Sequence, residues 1–155
     1  MDRVKCDIRA AAHDDRGMLI LLSEETLLPL AEGAGHPERY HTPELLDLLD
    51  HADVFVAESG AETAGFVAVE DEDDGLAVRC LCVHPAFEAR GVANQLLDWA
   101  EGLAVDRRRA RLTAFVPASD NPSLRLYRRH EFVPQPAEDD AEMVVLEKRL
   151  PRVEE

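Results

Sequence analysis

Apolar residues along this 155-residue chain recur at two spacings, and the change from one to the other divides it into strands and helices. Val4, Cys6 and Ile8 alternate with polar neighbours, which predicts a first strand over residues 4–9. His13-Asp14-Asp15 sets acids where a helix begins, and apolar residues from Met18 to Leu22 continue it. Residues 32–40, with Gly33, Gly35 and Pro37, read as a loop. Thr42-Pro43-Glu44 then joins a capping hydroxyl to a proline at the first helical position, and Leu45, Leu46, Leu48 and Leu49 carry that helix forward. Strands follow over 53–58 and 63–70 around a turn at Ser59-Gly60, and residues 70–75 form a charged, solvated hairpin tip.

The stretch from Leu76 to Leu103 organises the chain. An apolar run of strand length over 76–83 is closed by Pro85, which cannot donate to a ladder. Beyond a small-residue loop around Gly91, Val92, Ala93, Leu96, Leu97, Ala100, Leu103 and Ala104 form the stripe of a helix packed on a sheet. A strand over 111–116, a short helix ending at Arg129, and closing strands at 132–133 and 142–150 around a 134–140 loop complete the order. This is an α+β arrangement: a mixed, mostly antiparallel sheet of about seven strands flanked by about four helices. Residues 1–150 form one domain and 151–155 a frayed tail.

A strand, a tight turn and a helix start make an anion site. The first amides of a helix have no carbonyl one turn earlier, and its dipole favours negative charge there. The ligand this geometry suits is a phosphate or pyrophosphate.

Glu88-Ala89-Arg90-Gly91-Val92-Ala93, followed by Leu96-Leu97, resembles the acetyl-CoA signature of the GNAT superfamily of acyl-CoA-dependent N-acyltransferases. That signature reads Gln/Arg-x-x-Gly-x-Gly/Ala after a strand ending in Val-x-Pro. The strand end, Gly91 and Ala93 match, and Glu88 departs from it. A second run, Asp120 to Phe132, resembles the family's Asn-x-x-Ala-x-x-Leu-Tyr-x-x-x-Gly-Phe. Leu126, Tyr127 and Phe132 match; Asp120, Ser123 and Glu131 stand where Asn, Ala and Gly are usual. If the last position needs a positive φ, Glu131 costs on the order of 1 kcal/mol there. The resemblance covers nearly the whole chain and implies the GNAT fold.

It also implies a reaction, the direct transfer of an acetyl group from acetyl-CoA to a primary amine, with no metal. Backbone groups of Leu81, Cys82 and Val83 would pair with the pantetheine arm and face the thioester carbonyl. Residues 88–94 (Glu88, Ala89, Arg90, Gly91, Val92, Ala93, Asn94), with Asn121 and Ser123, would bind the rest of the cofactor. Tyr127 would act as general acid towards the departing sulfur. The family's glutamate positions fall on Phe115 and Ala77, neither of which takes a proton; His84 or an ordered water is left. That gap keeps open a GNAT-fold module that binds acyl-CoA without turnover, and, more distantly, an unrelated phosphate-binding α+β domain.

Charge narrows the partners. The net charge is −15, with two lysines against fifteen arginines. Scarce lysine beside abundant acid resembles proteins adapted to high internal salt, where a Debye length of about 3 Å at 1 M screens self-repulsion. A nucleic-acid partner lacks the basic footprint it needs. No apolar run reaches a membrane span and no signal-peptide pattern opens the chain, so a cytoplasmic protein is expected, with a small-molecule or peptide amine as acceptor and a homodimer as one possible state. Nine arginines lie between Arg79 and Arg129, in the half that holds the anion site, although Arg107, Arg108 and Arg109 also suit a helix C-terminus. Three cysteines give no disulfide framework. Cys80, Cys82 and His84 share a strand face, yet at about 6.6 Å per two residues a strand cannot gather all three around zinc, so the cysteines are expected to be buried and inert.

Overall fold

The computed structural model describes residues 3–26, 42–136 and 143–151. Among them seven strands form one sheet: β1 (Asp7–Ala10), β2 (Asp53–Ser59), β3 (Glu62–Asp71), β4 (Gly75–Val83), β5 (Arg111–Pro117), β6 (Val133–Pro134) and β7 (Met143–Arg149). Four α-helices accompany them: α1 (Arg16–Thr26), α2 (Thr42–His51), α3 (Val92–Asp106) and α4 (Asn121–Arg129). The sheet order is β1-β2-β3-β4-β5-β7-β6, antiparallel throughout except for the parallel β4–β5 pair. The fold class and element order expected from periodicity therefore hold. The loops expected at 32–40 and 134–140 lie wholly or mostly outside the described residues.

Both faces of the sheet are covered. On one, Leu19 and Leu22 of α1 pack against Val56, Phe66, Ala68, Cys80 and Cys82, with Leu48 and Leu49 of α2 alongside. On the other, Leu96, Leu97, Ala100 and Ala104 of α3 cover Val67, Val69, Leu76, Val78 and Leu112. A buried leucine of this kind contributes roughly 1.5–3 kcal/mol of transfer free energy. The stripe read from sequence over Val92–Ala104 is this buried face.

The first strand begins later than its alternation predicts. The Val4 N–H donates to the Arg90 carbonyl at 3.0 Å, and the Cys6 N–H to the Gln95 side chain at 2.9 Å. Gln95 Nε2 in turn donates to the Val4 carbonyl at 2.7 Å. Backbone groups spent on the turn before α3 are lost to a β ladder, so residues 4–6 strap that turn and pairing starts at Asp7.

Two irregularities shape the centre of the sheet. Ala68 pairs with Cys80 but Val69 with Val78, so Arg79 is the extra residue of a β-bulge. The bulge reverses the alternation: Leu76 and Val78 face α3, whereas Cys80 and Cys82 face α1 and α2. The two thiols lie 3.5 Å apart and buried, while His84 leaves the strand and caps the 3₁₀ turn Pro85–Phe87 through Nδ1, which accepts from the Ala86 N–H at 3.0 Å. The second irregularity is a parting of strands. β4 pairs with β5 only from Gly75–Arg111 to Val78–Ala114; beyond that β4 continues on β3 and β5 on β7. No helix among the described residues is long and apolar enough to cross a membrane.

Candidate functional site

α3 starts on a turn with unusual backbone. Ala89 has φ 60 and Gly91 φ 85, so two left-handed residues flank Arg90 just before the helix. Left-handed geometry at Ala89 costs roughly 1 kcal/mol or more, and strain of this kind collects at ligand sites. Such a turn gathers successive N–H groups into an anion-binding concavity, and the first amides of α3, from Val92 to Asn94, continue it. Gln95 fixes the turn from beneath, because the same Nε2 that holds Val4 also reaches the Gly91 carbonyl at 3.2 Å.

A groove of about 540 Å³ runs from this turn to the parted strands. It is lined by Leu81, Cys82 and Val83 from β4, by Glu88, Ala89, Gly91, Val92, Ala93 and Asn94 from the turn and helix start, and by Ser123 from α4. Ten of the positions expected from sequence are thus brought together. Arg90 and Asn121 stand outside that lining. Arg90 instead lays its guanidinium 5.6 Å from the Phe87 ring centre, and Asn121 is exposed at the first position of α4.

Thr26, Phe87, Asp120, Pro122, Leu126 and Arg129 complete the lining, and none was expected from sequence alone. Four of them were within reach of a periodicity argument. Pro122, Leu126 and Arg129 recur at four and three residues, one face of α4, with Asp120 as its N-cap. Arg129 puts a permanent cation on the groove wall, while Glu88 brings a carboxylate to it.

A smaller cavity, about 30 Å³, opens where β4 and β5 separate. Tyr127, buried and edge-on to Phe132 with centroids 5.1 Å apart, lines this cavity rather than the groove. Arg79, the bulge residue, lies 5.0 Å over the Phe115 ring on the same wall and 3.7 Å from Glu70. Phe115 and Ala77 stand where the family resemblance implies a glutamate, and neither side chain takes a proton. Leu81, Asp120, Ser123 and Leu126 border both cavities and mark their junction. The Cys80 thiol, also on the smaller cavity, is pushed well above its ordinary pKa by its hydrogen bond with Cys82 and then by burial. A thiol held protonated is a poor nucleophile.

At the edge of the groove, α3 and α4 are tied together. His130, just past α4, bonds Asn94 Oδ1 at 2.8 Å through Nε2 and lies 3.6 Å from Asp98 through Nδ1; Lys148 of β7 pairs with Glu101. Glu131 follows with φ 70, so the position where glycine is usual does demand left-handed backbone, and the glutamate bears a cost of about 1 kcal/mol.

Comparison with known proteins agrees with this geometry. A family model described as the acetyltransferase (GNAT) domain matches residues 50–134. The chain is similar to the PaiA N-acetyltransferase of Thermoplasma acidophilum in complex with coenzyme A, with TM-score 0.79 and 16% identity over 95% of this chain and 100% of that one. It is similar also to a GCN5-related N-acetyltransferase of Rhodopseudomonas palustris, with TM-score 0.76 and 20% identity over 97% and 99%. A GNAT family acetyltransferase of Elizabethkingia anophelis with acetyl-CoA bound gives TM-score 0.73 and 16% identity over 94% and 98%. At these identities the likeness is one of fold. No curated protein matches the chain in sequence.

Proposed function

The chain belongs to the GNAT acetyltransferase family, and from that premise we propose that it moves an acetyl group from acetyl-CoA directly to a primary amine. The observation that carries this reading is the groove joining the left-handed turn before α3 to the end of β4 that has parted from β5. Amides of residues 89–94 clasp the pyrophosphate, with Arg129 adding charge from the facing helix. Because backbone groups do the clasping, the carboxylate of Glu88 weakens binding without abolishing it. The pantetheine arm lies along Leu81, Cys82 and Val83, whose β5-facing edge pairs with no strand among the described residues and can take its amides. There a strand N–H donates to the thioester oxygen as it gains charge in the transition state. The amine enters from the smaller cavity, and Tyr127 hydrogen-bonds the sulfur as the carbon–sulfur bond breaks.

Attack needs a neutral nitrogen. At pH 7 an α-amino group of pKa about 7.8 is roughly one-seventh neutral, whereas a lysine amine of pKa about 10.4 is less than 0.1% neutral. A panel of peptide α-amines, amino acids, arylamines and lysine side chains, scored by release of free CoA thiol at low and high salt, tests the proposal. Weakly basic amines are expected to react fastest. A clear preference for lysine side chains contradicts that expectation, and thiol release with no amine at all contradicts the transferase reading.

A further inference from the structure

Nothing in the scheme above receives the proton that the attacking amine sheds. We infer that Ser123 and Asp120 do so together, the Ser123 hydroxyl as relay and the Asp120 carboxylate as the final acceptor; this rests on the acetyl-transfer reading. The Ser123 hydroxyl donates to Asp120 Oδ2 at 2.6 Å, and the Ser123 N–H to Asp120 Oδ1 at 3.2 Å. With its hydrogen committed to the carboxylate, Ser123 Oγ turns only lone pairs towards anything else. Both residues border both cavities, at the junction where thioester and amine must meet. They are also two positions at which the Asp120–Phe132 run departs from the pattern it resembles, and the two departures bond to each other.

The other ionisable groups around the junction are unsuited to the task. Arg79 on β4 and Arg129 on α4 are permanent cations, Cys80 is held as a thiol beside Cys82, and Tyr127 serves the sulfur. Glu88, on the turn, borders the groove but not the smaller cavity.

The step balances. The neutral amine nitrogen bonds to the carbonyl carbon and becomes cationic, hence acidic. Its proton passes to Ser123 Oγ while the serine's own proton passes to Asp120 Oδ2. The carbon–sulfur bond breaks and the pair stays on sulfur, which leaves as a thiolate hydrogen-bonded by the Tyr127 hydroxyl. Solvent carries the Asp120 proton to that thiolate, leaving amide and free CoA.

An N-cap explains the same two hydrogen bonds, so the test separates the roles. Asparagine caps a helix as well as aspartate does. In the full chain with acetyl-CoA and the fastest amine of the panel, Asp120→Asn is expected to lower kcat about 100-fold, a usual loss for acid–base catalysis. CoA Kd is expected to stay within threefold and Tm within a few degrees, and the acidic limb of the kcat–pH profile is expected to disappear. Ser123→Ala, which removes only the relay, is expected to lower kcat at least 10-fold and serves if Asp120→Asn fails to fold. A wild-type kcat and pH profile in Asp120→Asn overturns the inference alone, as does a loss that merely tracks Tm or CoA affinity. A wild-type chain that binds CoA and acetylates no amine overturns the transferase reading as well.

Discussion

Tyr127→Phe is expected to lower kcat about 100-fold while leaving CoA affinity within twofold, the low end of what acid–base catalysis supplies. The substitution is informative because it is nearly isosteric. The Tyr127 ring is buried against Phe132, and phenylalanine keeps that edge-on contact while losing only the hydroxyl. Proton transfer from a phenol of pKa about 10 to a thiolate of pKa about 8.5 is uphill by roughly 2 kcal/mol, so the hydroxyl acts chiefly by hydrogen-bonding the developing charge. The loss is therefore expected in kcat rather than in KM for acetyl-CoA. Steady-state kinetics with thiol release reads it, and an unaltered kcat reduces Tyr127 to a packing residue.

Gly65→Ala is expected to be the most damaging alanine substitution among the glycines of the described residues. Gly65 pairs with Val83 across β3 and β4, and a Cβ there would lie 2.4 Å from the Cys82 carbonyl oxygen and 3.2 Å from the Val83 Cα. Backbone cannot step aside as a flexible side chain does, so the two strands must separate. The site of separation is the strand end proposed to hold the pantetheine arm. A cost of about 3 kcal/mol, the upper part of the range for overpacking, is expected, lowering Tm by about 10 °C. CoA affinity is expected to fall at least 10-fold with it. Thermal unfolding and calorimetry check both, and a variant with native Tm shows that β4 yields there freely.

Periodicity carried the elements well because the helices bury one consistent face, while the central strands, covered on both faces, read as continuous apolar runs. The helix over Val92–Asp106 and the apolar run of β4 are of these two kinds. What escaped were features set by single backbone positions. Unbroken alternation would set Leu76 and Val78 on the same face as Cys80 and Cys82, yet the bulge at Arg79 sends the cysteines to the opposite side. No residue type announces that bulge; it arises from how β3 and β4 align. The same limit holds at the site. Adjacency in the motif drew in Arg90 and Asn121, but left-handed turns at Ala89 and Gly91 and the cap at Asp120 decide which side chains line the groove. The shortened first strand follows from Gln95, whose side chain takes backbone partners that alternation would assign to a ladder.

The central claim is that the turn before α3 holds the diphosphate of coenzyme A through its backbone. Isothermal titration of the purified chain with CoA, at low salt and at about 1 M salt, tests it most directly. Saturable one-to-one binding is expected, with 3′-dephospho-CoA retained and pantetheine, which lacks the diphosphate, bound at least 100-fold more weakly. Absence of heat with CoA at both salt concentrations, or equal affinity for pantetheine, would contradict it.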